Sequence, residues 1–168
     1  MKIAIIFESK TGNTEMIARA MCDELRDNVV YFGAPHEEIE ADVYVVGSWI
    51  DKGSVVTPIS TLLSGLRDKS IACFCTAGFG QSEEYARRIM ERVETIIDSS
   101  NRIIGVFVCQ GKMRPETRER YIRLIHENPD DAQLRVAIEN FDKASTHPDD
   151  EDITRAKAFI RDVVSRVE

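Results

Sequence analysis

The sequence predicts an α/β protein: an open, doubly wound, five-stranded parallel sheet with extra helices after the fifth strand. Three observations predict it. Apolar runs recur at residues 3–7, 29–32, 43–46, 71–75 and 103–108, and four of the five are nearly continuous, as strands covered on both faces must be. Helical spacing fills the intervals between them. The first run also passes directly into a hydroxyl- and glycine-rich turn that opens a helix, the junction at which doubly wound sheets gather ligands.

Taken in order, residues 3–7 (Ile-Ala-Ile-Ile-Phe) form a strand, and Met16, Ile17, Ala20, Met21 and Leu25 give the helix after Thr14 its apolar face. Residues 29–32 read as an edge strand. A short helix is expected from Pro58 to Leu66, and a longer one carries Tyr85, Ile89, Val93 and Ile96 at helical spacing. After Val108 no further strand is evident. The remaining third reads as three helices whose starts are marked by Pro115, Pro129 and Pro148, proline being suited to the first helical position. Asn128 is the expected cap of the second, with Asp130 and Asp131 in its first turn and Leu134, Ala137, Ile138 and Phe141 on its apolar face. The third shows Ile153, Ala156, Ile160, Val163, Val164 and Val167 on one side and should pack on the sheet. One such helix completes the sandwich. The two before it therefore read as an insertion at about residues 112–145 within a single domain spanning 1–168.

Composition narrows the function. A chain of 168 residues with 43% hydrophobic content can bury a proper core, and no apolar stretch is long enough to insert in a membrane. A cytoplasmic protein is expected. Cys22, Cys73, Cys75 and Cys109 show neither a C-x-x-C pair nor metal-ligand spacing, so free, buried or half-buried thiols are the expectation. A net charge of -7 argues against nucleic acid, which demands clustered Lys and Arg, and suits basic partners. The acidic runs at residues 37–42, 83–84 and 149–152 read as solvated helix ends and loops. His36, His126 and His147 are scattered and receive no catalytic role.

The turn itself, Phe7-Glu8-Ser9-Lys10-Thr11-Gly12-Asn13-Thr14, is suited to phosphate. Amides in the first turn of a helix have no intrahelical acceptor, and the aligned peptide dipoles leave partial positive charge there. Ser9, Thr11 and Thr14 add hydroxyls, and Gly12 permits close approach or a positive φ. An ordinary capped helix would use the same residue types. Lys10 stands at the wrong spacing for a G-x-x-x-x-G-K-[ST] loop, and no G-x-G-x-x-G is present, so a single phosphomonoester is the favoured guest.

Ser9-Lys10-Thr11-Gly12-Asn13-Thr14 matches the flavodoxin phosphate-loop pattern [ST]-x-T-G-x-T at every specified position, and the order of elements over residues 1–110 plus the closing helix resembles the flavodoxin family. That resemblance implies a sheet of order 2-1-3-4-5 and FMN as cofactor, its phosphate held by Ser9, Lys10 (through its backbone), Thr11, Gly12, Asn13 and Thr14. It implies two further loops against the flavin ring. The first is Gly47-Ser48-Trp49-Ile50-Asp51-Lys52-Gly53, with Trp49 as a stacking residue and Gly53 as the site of a peptide flip. The second is Thr76-Ala77-Gly78-Phe79-Gly80, with Phe79 as a second stacking residue and Tyr85 behind it. The first lacks the family's common tyrosine-rich pattern, and the second has one aromatic in place of an acidic-aromatic cluster. Cys109, Gln110, Gly111 and Lys112 follow the fifth strand toward the same edge.

The implied function is a low-potential, one-electron carrier between a reductase and a partner redox enzyme, with no catalytic acid or base required. The alternative is an FMN-dependent NAD(P)H oxidoreductase acting on a quinone or other small molecule, with the helical insertion shaping the substrate site. A phosphate-receiving signalling domain shares the gross order of elements, but the acidic pair it needs after the first strand is replaced here by Phe-Glu-Ser-Lys-Thr-Gly. A module of this fold without cofactor is the remaining possibility. Oligomeric state is not legible from periodicity.

Overall fold

The computed structural model describes residues 1–36 and 38–167. Glu37, the first residue of one acidic run, lies outside the described residues. In chain order the elements are β1 (Ile3–Phe7), α1 (Asn13–Leu25), a 3-10 turn (Arg26–Asn28), β2 (Val29–Gly33), β3 (Val43–Asp51), β4 (Ser54–Val55), α2 (Thr57–Gly65), β5 (Ser70–Ala77), α3 (Glu83–Ile96), β6 (Arg102–Gln110), α4 (Pro115–Glu127), α5 (Ala132–Ala144) and α6 (Asp150–Ser165).

Five strands run parallel in the order β2-β1-β3-β5-β6, with β4 paired antiparallel to the end of β3. The parallel part follows the expected 2-1-3-4-5 order once β4 is set aside. The sheet nonetheless has six strands, because β3 does not stop at Val46: it runs on through Gly47, Ser48, Trp49 and Ile50 to Asp51. Trp49 and Ile50 are strand-favouring types, and a two-residue turn reverses the chain behind them. Lys52 and Gly53 occupy that turn with φ of 48° and 79°, the paired positive values a tight hairpin needs, and Ile50 then pairs with Val55 and Asp51 with Ser54. Most of the presumed first flavin loop is therefore strand.

Side chains alternate across the sheet and sort the core into two halves. Ile3, Ile5, Val43, Val45, Ala72, Phe74 and Phe107 face α1 and α6, whereas Ala4, Ile6, Tyr44, Val46, Ile71, Cys73 and Cys75 face α2 and α3. Phe74 is completely buried and lies across Gly47, where a Cβ would stand 2.1 Å from the ring. Only glycine fits there. The alternation of strand and helix breaks between β2 and β3, where Tyr31 and Tyr44 donate their hydroxyls to the carbonyls of Ala34 and Ile39, both at 2.6 Å, and no helix occurs among the described residues.

Two helix starts differ from expectation. Asn128 ends α4 instead of opening α5, and Asp131 caps α5 by accepting the amides of Gln133 and Leu134. Likewise α6 begins after Pro148, with Asp149 accepting the amides of Glu151 and Asp152 while the Asp152 carboxylate accepts the Asp149 amide. Aspartate satisfies the exposed amides that proline merely tolerates, so the acids, not the prolines, set both boundaries. Pro115 does start α4. No described helix is long and apolar enough to cross a membrane.

Candidate functional site

The carboxyl ends of β1, β3, β5 and β6 meet at one edge of the sheet, and α1 begins there. Gly12 precedes α1 with φ of 88° and nothing within 4 Å of where its Cβ would be, so its conformation is a torsional requirement and not a packing one. The first backbone bond of the helix is that of Met16 N–H to the Gly12 carbonyl at 2.9 Å. Of the amides before it, that of Glu15 is taken by Ser9 Oγ at 3.2 Å. The amides of Asn13 and Thr14 open toward the turn with the positive end of the helix behind them.

Thr14 and Thr76 are almost fully buried, and their hydroxyl oxygens lie 2.9 Å apart, bolting the first turn of α1 to β5. Asn13 is also buried. Its Nδ2 donates to the Lys112 carbonyl at 2.8 Å, with Gly111 so close that a Cβ there would fall 2.6 Å from it, while its Oδ1 has no partner among the described residues. A buried acceptor left unpaired costs roughly 1–3 kcal/mol. It is a place where a ligand donor would be welcome.

Lys10, Thr11, Asn13, Trp49, Ile50, Asp51, Thr76, Ala77 and Gly78 line a cleft of about 260 Å³, closed on its far side by Gly111, Lys112, Met113, Arg114 and Thr117. Lys10 Nζ sits 5.1 Å from the centre of the Trp49 ring, a cation–π contact across the mouth. The other candidates do not line it. Ser48 is buried, its Oγ donating to the Trp49 carbonyl at 2.7 Å and accepting from the Val56 amide at 3.1 Å, which ties β3 to the start of α2. Lys52 and Gly53 form the hairpin tip, and the Gly53 carbonyl accepts from Arg92 Nη1 at 3.1 Å on α3. Phe79 turns away from the cleft toward Tyr85, ring centres 6.0 Å apart, and lines a separate groove beside α5. Gly80 is wedged against the end of β6, where a Cβ would stand 2.2 Å from the Cys109 carbonyl oxygen.

Gly78 is held from above. Its carbonyl accepts from Gln110 Nε2 at 2.7 Å and from Asn140 Nδ2 at 2.9 Å, so a residue of α5 fixes the turn after β5. Gln110 Oε1 is buried without a partner among the described residues. Nothing in the sequence flagged Met113, Arg114, Thr117 or Asn140, because each is placed by the path of the chain after Gln110 and not by any local pattern. Gly111 and Lys112 were legible as continuing β6 toward the same edge.

The thiols take little part. Burial pushes the Cys73 thiol up to about 12 and raises those of Cys75 and Cys109 further, while half-buried Cys22 is raised by burial and the neighbouring Asp23. All four cysteines are free.

The flavodoxin domain family matches residues 4–161. The flavodoxin-like domain-containing protein BilS of Clostridioides difficile (strain CD3) is 30% identical over 98% of this chain and 97% of its own length. Among solved structures, flavodoxin 1 of Bacillus cereus superimposes with a TM-score of 0.60 over the whole of both chains at 13% identity. A flavoprotein of Lactobacillus acidophilus NCFM solved in complex with FMN gives 0.52 at 19% identity, covering 64% of this chain and 92% of its own. With an uncapped α1 turn, a 2-1-3-4-5 parallel core and a family match over nearly its full length, this chain belongs to the flavodoxin domain family.

Proposed function

We propose that this protein is an FMN-dependent electron carrier that takes low-potential electrons from a reductase and passes them to a partner redox enzyme. FMN is its cofactor, in keeping with the family and with the FMN complex of the Lactobacillus acidophilus flavoprotein. The observation that carries the assignment is the convergence at one sheet edge of the open α1 turn, Trp49 and the Thr76–Gly78 backbone around a single cleft.

In this assignment the amides of Gly12, Asn13 and Thr14 and the hydroxyl of Thr11 would hold the phosphate at the α1 turn, with Ser9 and Lys10 shaping the approach. Asn13 Oδ1, buried without a partner among the described residues, would be free to accept a hydrogen bond from the ligand. Trp49, Ile50 and Asp51 and the backbone of Thr76, Ala77 and Gly78, which line the cleft, would hold the ring, with Trp49 available for stacking. Ser48, Lys52, Gly53, Phe79 and Gly80 act behind these groups by fixing the two segments. Bound FMN supplies a centre that takes up and releases electrons one at a time; the chain supplies position, field and access. The Asp51 carboxylate opposes added negative charge at the site, while Lys10 and the helix end favour it.

Addition of FMN to apoprotein, followed by absorption and fluorescence, is the test. Stoichiometric uptake with quenched flavin fluorescence is expected, and correctly folded protein that takes up none would overturn the assignment. Steady NADPH consumption by the holoprotein without an added reductase would replace the carrier by a self-sufficient oxidoreductase.

A further inference from the structure

The chain is acidic, yet the mouth of its cleft is basic. Residues 112–123 hold five of the 22 cationic side chains and only two of the 29 acidic ones, so this stretch is +3 within a chain of -7 and the remainder is -10. Lys112 and Arg114 from this stretch join Lys10 in lining the cleft, against Asp51 as its one acidic wall residue. Arg120 lies one helical turn beyond Thr117, so the basic strip continues up α4 from the cleft wall.

What marks these cations is that they gather at one cleft and its adjoining helix without a compensating acid among the described residues. Several arginines elsewhere are drawn into pairs with neighbouring acids: Arg19 with Glu15, Arg87 with Glu91, Arg88 with Glu84, Arg161 with Glu24. Arg118 of α4, too, is tied to Asp142 of α5. Among the described residues, no carboxylate within ion-pair distance engages Lys10, Lys112, Arg114 or Arg120. A phosphate bound at the α1 turn would be met chiefly by backbone amides, whereas Lys112 and Arg114 line the cleft from the segment after β6 and Arg120 lies further along α4.

We propose that the redox partner docks an acidic surface over this basic mouth, so that the local charge around Lys10, Lys112, Arg114 and Arg120, not the negative charge of the whole chain, steers the encounter. Sequence charge alone predicted the reverse, a basic partner. Charges beyond a Debye length of about 10 Å at 0.1 M salt are screened, so the encounter is governed by the groups at the rim. This inference rests on the carrier function proposed above.

Two small probes test it without an identified partner. Reduced holoprotein is mixed with ferricyanide, each ion of which accepts one electron from the bound cofactor to become ferrocyanide, over a range of ionic strength. The expected rate falls as salt rises, the mark of attraction despite the net charge, and Arg114→Glu with Arg120→Glu flattens or reverses the slope. A rate that rises with salt in the wild-type protein overturns the proposal. Redox-inert hexacyanochromate(III) should also broaden amide signals of Lys10 and residues 112–120 selectively, whereas hexaamminechromium(III) should act elsewhere. Uniform broadening, or the opposite preference, also overturns it. The two failures are separable: a protein that holds no FMN undoes the carrier assignment, while one that holds it and repels ferricyanide undoes only the acidic partner.

Discussion

The two walls of the cleft are built differently. On the α1 side, Asn13, Thr14, Ile17, Ser48, Thr76 and Ala77 are all buried and the segments are bolted together by the Thr14–Thr76 hydroxyl pair. On the far side, α4 contributes no buried residue and α5 only Ala144, and the two helices form an exposed arm joined by such contacts as Arg118 with Asp142. A wall backed by a sheet core arrives pre-shaped; one carried on a lightly packed arm can adjust to what docks on it. Cofactor affinity should therefore reside in the first wall and partner choice in the second.

The largest expected effect tests the packing contrast directly. Phe74→Ala removes a fully buried ring that lies across Gly47, and should cost about 3–5 kcal/mol in urea unfolding. Val136→Ala on α5, where the side chain is 60% exposed, should stay within about 0.5 kcal/mol. Comparable losses at the two positions would break the comparison.

Next comes the torsional demand at Gly12. Gly12→Val should cost about 1–2 kcal/mol, because a β-branched residue resists a φ of 88° even with open space around its Cβ. FMN affinity should fall by about tenfold or more if the turn relaxes out of shape, since 1.4 kcal/mol corresponds to a factor of ten. Gly12→Asn should retain much of both properties, because asparagine tolerates the left-handed region. Titration of each variant with FMN distinguishes the two outcomes.

A smaller effect probes the link between the walls. Asn140→Ala removes one of the two donors to the Gly78 carbonyl and leaves Gln110 Nε2 to hold it alone. A stability loss of about 1 kcal/mol is expected. The sharper signature is a shift in the absorption bands of bound FMN, since Gly78 lines the cleft. An unchanged spectrum would leave the arm uncoupled from the cofactor wall.

The same contrast explains what the sequence disclosed. Continuous apolar runs announced four of the five parallel strands because burial on both faces leaves no polar alternation, β2 at the edge being less buried, and Ser9–Thr14 announced the α1 turn because its hydroxyls and glycine are local requirements. The β3–β4 hairpin was hidden for the converse reason: Ser48, Trp49, Ile50 and Asp51 read equally well as a polar-tipped loop until Lys52 and Gly53 turn the chain back on itself. Phe79 could not be aimed from sequence, since its direction depends on Gly80 wedging under the Cys109 carbonyl. The far wall was least legible. Met113, Arg114, Thr117 and Asn140 reach the cleft only through the placement of an exposed helix pair whose own apolar faces say nothing of where it lies.

The smallest effect concerns the hinge by which that arm returns to the sheet. The Asp149 carboxyl is held below its ordinary value, first by the amide of Asp152 that it caps and further by His147, whose Nδ1 lies 3.6 Å away. A carboxyl with a depressed folded-state value stabilises the fold above its unfolded value, about 3.9, and that contribution is lost as pH falls through the lower folded one. Asp149→Ala should therefore melt below the wild type at pH 7, with the gap narrowing steadily from about pH 4 downward as the wild-type carboxylate is protonated. Because α6 packs on β6 and α1 while α5 does not, the loss should appear in sheet unfolding and not only in the arm. A gap that stays constant to pH 2.5 would mean that the cap acts through its shape alone and that its charge contributes nothing to anchoring the arm.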